Sequence, residues 1–169
     1  MTSWKPHLIY VEGGNTFWLA HCIEENDWFN LLVDAVVGTG GDEFSLEDED
    51  SSMPAMTSSI PAVYIGKSAG AIMAGKYVET ATWKGWDDPS VVPGMEEYDD
   101  WMGVKGLNLG GERSFFPHMS PDWEELVESK KEGILTMDKQ CNKDSNLLRC
   151  LQEDEAFCID GDKSFLAST

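Results

Sequence analysis

The apolar run Val63-Tyr64-Ile65 stops at Gly66-Lys67-Ser68-Ala69-Gly70 and resumes as the small-residue stretch Ala71-Ile72-Met73-Ala74-Gly75. That pattern predicts a short buried strand over 62–65, a sharp glycine turn and a helix to about residue 77. The same order occurs near the N-terminus. Residues 7–11 read as a short strand, Glu12-Gly13-Gly14-Asn15-Thr16 breaks it, and Asn15 is placed to cap the next helix. Phe17, Trp18, Leu19, Cys22, Ile23, Trp28, Leu31, Leu32 and Val36 keep a helical period up to Gly38, with an interruption near Asn26-Asp27. Two strands separated by one helix should lie parallel, with both glycine turns at the carboxyl edge where ligands bind in such sheets.

Residues 39–59 have no periodicity and carry Glu47-Asp48-Glu49-Asp50, which predicts an acidic, disordered insertion. From 79 to 111 the pattern is irregular, rich in Trp, Asp and Gly. Arg113-Ser114-Phe115-Phe116-Pro117-His118 then offers an apolar run ending at a histidine, and Ser120-Pro121-Asp122 starts a helix whose apolar face is Trp123, Leu126 and Val127, up to Gly133. Strands are expected over 146–151, 156–160 and 163–166, the last two joined as a hairpin around Asp160-Gly161-Asp162.

Composition narrows the classes. A length of 169 residues with 41% hydrophobic content predicts one globular domain. The balance of 12 Lys+Arg against 31 Asp+Glu, a formal charge of −19, disfavours nucleic acid and anionic membranes as partners. It also slows encounter with acidic ligands unless local charge compensates. Cys22, Cys141, Cys150 and Cys158 form neither a close pair nor a framework, so reduced thiols, a cytoplasmic location and no metal site are expected. No cofactor is called for.

The chemistry converges on Ser68. Gly-x-Ser-x-Gly between strand and helix is the pattern of a nucleophile elbow, in which the turn strains the serine and exposes its hydroxyl at a helix N-terminus. A serine needs a base, and His118, at a strand end downstream, is the candidate; His7 begins a strand and His21 lies within a helix. A carboxylate must orient the imidazole, and Asp87 and Asp88 both lie between serine and histidine, with Glu79 behind them. Gly14, lacking a side chain, and the Ala69 N–H, next after the nucleophile, are the candidate oxyanion donors.

Glu12-Gly13-Gly14-Asn15-Thr16-Phe17, Gly66-Lys67-Ser68-Ala69-Gly70-Ala71 and Pro117-His118 together resemble the signature segments of the dipeptidase E (aspartyl dipeptidase) family of serine peptidases. That family is related to cyanophycinase and has a class I glutamine-amidotransferase-like fold. The resemblance implies a doubly wound, mostly parallel α/β sheet, here N-terminally shortened. It also implies Ser68 as nucleophile, His118 as base and the Gly13-Gly14-Asn15 turn in the oxyanion hole, acting on short peptides. It puts the acid near 83–88, with Asp88, followed by Pro89, preferred over Asp87.

Two features depart from that family. Asp122-Trp123-Glu124-Glu125 has no arginine where the family resembles a Gly-x-Thr-Arg segment linked to recognition of an aspartyl substrate. That leaves Arg113, five residues before His118, as the candidate clamp for a substrate carboxylate, and Arg149 as the other guanidinium. Only one strand precedes the Gly-Gly-Asn turn, which predicts a fragment or a chain that depends on another, a homo-oligomer included. The competing reading is a catalytically inactive truncated relative that binds a peptide or partner through the same cleft.

Overall fold

The computed structural model describes residues 5–38, 60–137 and 147–168, with side chains to 133 in the second segment. The expected insertion at 39–59 lies outside the described residues.

Strand β1 (Leu8–Val11) leads into helix α1 (Thr16–Glu25), and α2 (Trp28–Val37) comes next. The expected interruption is real: Asp27 has φ 55°, and this left-handed residue ends one helix and starts the next. Strand β2 (Val63–Gly66) pairs parallel to β1, with Leu8 opposite Val63 and Val11 opposite Gly66. Helix α3 (Ala69–Ala74) stops earlier than the expected 77. At its end Gly75 packs so close to the chain that a Cβ would stand 3.1 Å from the Arg113 and Ile72 carbonyl oxygens, so the chain turns there.

Residues 79–111, irregular by pattern, supply much of the core through three short 3-10 turns. Trp101 is buried against Phe17, their rings 4.6 Å apart, and its Nε1 donates to the Met95 carbonyl at 3.0 Å. Val78, Val92 and Leu107 join Phe17, Ile72 and Met73 in the same cluster. Aperiodic sequence hides this core because each apolar side chain is aimed by a separate turn.

Strand β3 (Ser114–Phe116) pairs parallel to β4 (Leu148–Cys150), and β5 (Glu155–Asp160) forms an antiparallel hairpin with β6 (Lys163–Ser168). Between β3 and β4, helix α4 (Glu124–Met137) starts as expected after Ser120 and Pro121, though a 3-10 turn over Pro121–Trp123 comes first and the helix passes Gly133. The architecture is α/β, but the described strands form three two-stranded sheets and not one continuous doubly wound sheet. Residues 8–11 have the composition of an interior strand, yet Leu8, Tyr10, Val63 and Ile65 are all exposed. Parallel register places them on one face.

No helix among the described residues is long and apolar enough to cross a membrane. Cys22, Cys150 and Cys158 are free thiols; Cys141 lies outside the described residues. No group of three or more His, Cys, Asp or Glu that could hold a metal is found among the described residues.

Candidate active site

The residues that meet at the site lie just past the ends of the two parallel strand pairs. Gly13 is two residues beyond β1, Ser68 two beyond β2, His118 two beyond β3 and Glu153 three beyond β4. Parallel pairing aligns the carboxyl ends of paired strands, so the loops leaving them are gathered at one edge.

Ser68 is held by backbone. It has φ 52° and ψ −111°, outside the regions that L residues favour, at the N-cap of α3. The flanking glycines explain how the turn closes. A Cβ on Gly66 would stand 2.4 Å from the Gly70 carbonyl oxygen, and one on Gly70 would stand 2.3 Å from that of Val11. No real Cβ tolerates such contacts, so the pattern Gly-x-Ser-x-Gly is set by two close approaches, one of them to β1. Lys67 N–H donates to the Val11 carbonyl at 2.9 Å and locks the turn to the strand.

His118 comes after β3 with φ 56°, also left-handed. Its Nε2 lies 2.9 Å from Ser68 Oγ, and its Nδ1 lies 2.5 Å from Glu153 Oε1. Lys84 supports this bend: its Nζ donates to the carbonyls of Pro117 at 2.6 Å and His118 at 3.0 Å. The ammonium sits 4.4 Å from the Trp86 ring centroid and 4.3 Å from that of Phe116. Burial pulls its pKa down to about 8, against the opposing pull of Glu153 and Cys150.

The cleft beside Ser68 is lined by Thr16, Ile72, Thr80, Lys84, Trp86, Asp87 and His118 among others. Its enclosed volume, about 30 Å³, admits a water-sized group, so a larger molecule would lie across the mouth. Thr16 Oγ1 is buried there without a hydrogen-bond partner.

The remaining candidates are spread around this cleft. Gly13 lies against the serine, where a Cβ would be 3.1 Å from Ser68 Cβ, and Gly14 adopts φ 148°, which suits glycine. Asn15 caps α1, accepting from Trp18 N–H at 3.0 Å, while its Nδ2 donates to the Asp88 carbonyl at 2.9 Å. Its side chain is therefore committed. Ala69 is buried at the first position of α3, ahead of the intrahelical hydrogen bonds.

Asp88 is not brought to His118. Its Oδ1 accepts from Ser90 N–H at 2.9 Å as the N-cap of the turn Pro89–Val91, and the Ser90 bonds hold its carboxyl below the usual range. Asp87 accepts from Thr16 N–H at 3.0 Å, and Glu79 is buried, its carboxyl pushed up by desolvation. The carboxylate that does meet the imidazole, Glu153, escapes sequence reasoning. Its only signal is a position just past a strand that pairs parallel to the strand of His118. Arg113 precedes β3, so five residues, about 16 Å of extended chain, separate it from His118. Its Nη1 turns to the Gly110 carbonyl at 3.1 Å instead.

No family model matches the chain, and no curated protein does. A solved structure does match. The chain is similar to the crystal structure of a "Putative Peptidase E Protein" from Listeria monocytogenes EGD-e, with a TM-score of 0.60 and 20% identity. The fold is peptidase E-like. The match covers 96% of this chain but 60% of the Listeria chain, so the chain spans less than two thirds of that protein's length.

Proposed function

We propose that this chain is a serine-type peptidase that hydrolyses short peptides, with Ser68 as nucleophile, His118 as general base and Glu153 as the orienting carboxylate. One observation carries it: a histidine whose two ring nitrogens lie 2.9 Å from a strained serine hydroxyl and 2.5 Å from a carboxylate. In this reading His118 Nε2 takes the proton as Ser68 Oγ attacks the scissile carbonyl. Glu153 fixes the tautomer that carries hydrogen on Nδ1 and stabilises the imidazolium. The oxyanion is held by backbone N–H groups of the Gly13-Gly14-Asn15 turn and of Ala69. His118 then gives its proton to the departing amine, and a water repeats the sequence on the acyl group.

The peptidase name of the Listeria structure supports a hydrolase, and the two parallel strand pairs suit one doubly wound layer of the class I glutamine-amidotransferase-like kind. Asp87, the acid of the cleft lining, is our candidate for the substrate's free amino group. Arg113 is too far along β3 to serve as the carboxylate clamp.

The test is labelling with a fluorophosphonate probe, then a dipeptide panel. We expect an adduct on Ser68 that disappears in Ser68→Ala and His118→Ala, and loss of turnover on the order of 10³-fold or more in each. An adduct elsewhere removes the serine mechanism. Absence of both labelling and turnover turns the reading to a non-catalytic peptide-binding relative.

A further inference from the structure

The chain has only two arginines, and they meet at one cavity. Arg113 and Arg149 line it with Phe157, Ser164, Phe165 and Leu166, around a volume of about 240 Å³. Both guanidinium groups lie on the same aromatic ring, Arg113 at 5.4 Å and Arg149 at 5.3 Å from the Phe157 centroid. Strand alternation explains the placement. Leu148 and Cys150 turn into the core beside Phe116, so Arg149 between them faces the other way, toward the β5–β6 hairpin.

The charge environment makes this pairing unusual. In a chain with 31 acidic residues, neither arginine makes an ion pair among the described residues. Among the described residues, Arg149 Nε is buried without a hydrogen-bond partner, and Arg113 donates only to backbone carbonyls. Two like charges gathered around one cavity repel, and a buried donor left unmade is costly. An anion between them removes both penalties. Guanidinium forks match the paired oxygens of carboxylate and phosphate, and an underlying ring holds their planes in place.

We propose that this cavity binds a small organic oxyanion, carboxylate or phosphate, with its charged end on Arg113 and Arg149 and its apolar body along Phe165 and Leu166. The site shares no residue with the Ser68 cleft: Arg113 enters β3 at the end opposite His118. It does not depend on the hydrolase reading. It also supplies the local positive charge that a chain of −19 needs to attract an acidic ligand at all.

The test is calorimetric titration of the purified full chain with sodium phosphate and, separately, sodium citrate, against sodium chloride at matched ionic strength. Saturable binding of at least one is expected, weakened about tenfold or more in Arg113→Gln and in Arg149→Gln. Binding of citrate alone identifies a carboxylate ligand and binding of phosphate alone a phosphorylated one, and either supports the site. If a glutamine variant unfolds by circular dichroism, Arg149→Lys decides: it keeps the charge but loses the fork, and binding should fall severalfold. No binding above the chloride control overturns the proposal. So does affinity unchanged in Arg149→Lys or in the folded double glutamine variant.

Discussion

Ser68 and Glu153 approach the same imidazole from regions built in opposite ways. The serine stands on the β1–β2 pair, where main-chain atoms pack so tightly that two glycines cannot carry a Cβ, and where the strained backbone has no other room. The glutamate stands just past the carboxyl end of β4 with its side chain 77% exposed, against 26% for His118. One partner is fixed by shape, the other by a direct charged contact that stands open to solvent. The first should be brittle and indifferent to salt, and the second tolerant of neighbours but screened by ions.

The strongest way to break the comparison is to add one methyl group on the rigid side. Gly70→Ala places a Cβ 2.3 Å from the Val11 carbonyl oxygen, a main-chain atom that cannot move without parting β1 from the elbow. Overpacking against backbone should cost roughly 3 kcal/mol or more, and labelling of Ser68 should vanish with it. Thermal unfolding monitored by circular dichroism measures the first and the fluorophosphonate probe the second. An alanine variant with native stability would show that the elbow is looser than its contacts imply.

The exposed side predicts a different signature. Glu153→Gln should keep the fold and reduce turnover by about 10²-fold or more, because the imidazole loses the carboxylate that orients it. Asp88→Asn should leave turnover within a fewfold, since asparagine caps a turn about as well as aspartate. Raising salt from about 0.05 to about 0.5 M should slow turnover by the native chain more than by the Glu153→Gln variant, because the variant lacks the exposed carboxylate that ions screen. Equal losses in Glu153→Gln and Asp88→Asn would return the orienting role to the cleft side.

The same contrast explains how much of the molecule is legible in its sequence. Gly66, Gly70, Gly13 and Gly14 announce themselves, and Ser68 between the first two with them, because close backbone approach and positive φ favour glycine and such demands are written locally. The break at Asp27 and the start at Ser120-Pro121 are legible for the same reason. Glu153 is not, because among many acids its identity says nothing, and its role depends on which strand pairs with which. The core from 79 to 111 escapes periodic reading because turns, not a helix or strand, aim Ala81, Val92 and Trp101 inward. Sequence distance alone puts Arg113 near His118; strand direction carries it to the other end.

The smallest effect concerns Lys84, which lines the Ser68 cleft and holds the carbonyls of Pro117 and His118. Burial lowers its pKa to about 8, whereas an unfolded lysine titrates at about 10.4. Below about pH 8 the folded chain carries the charge at the full cost of its partial burial. Between those two values the unfolded chain binds more protons than the folded one, so this group makes stability rise with pH. The ammonium is only partly buried, so after solvent screening the gain should stay under about 1 kcal/mol. Urea unfolding at about pH 7.5 and 9.5 in the native chain and in Lys84→Met isolates it, because other groups titrating in that range cancel in the difference. The native chain should gain stability relative to the variant as pH rises. A variant with the same pH slope would mean that the ammonium is as well solvated in its ring of Trp86, Phe116 and Trp123 as it is in water.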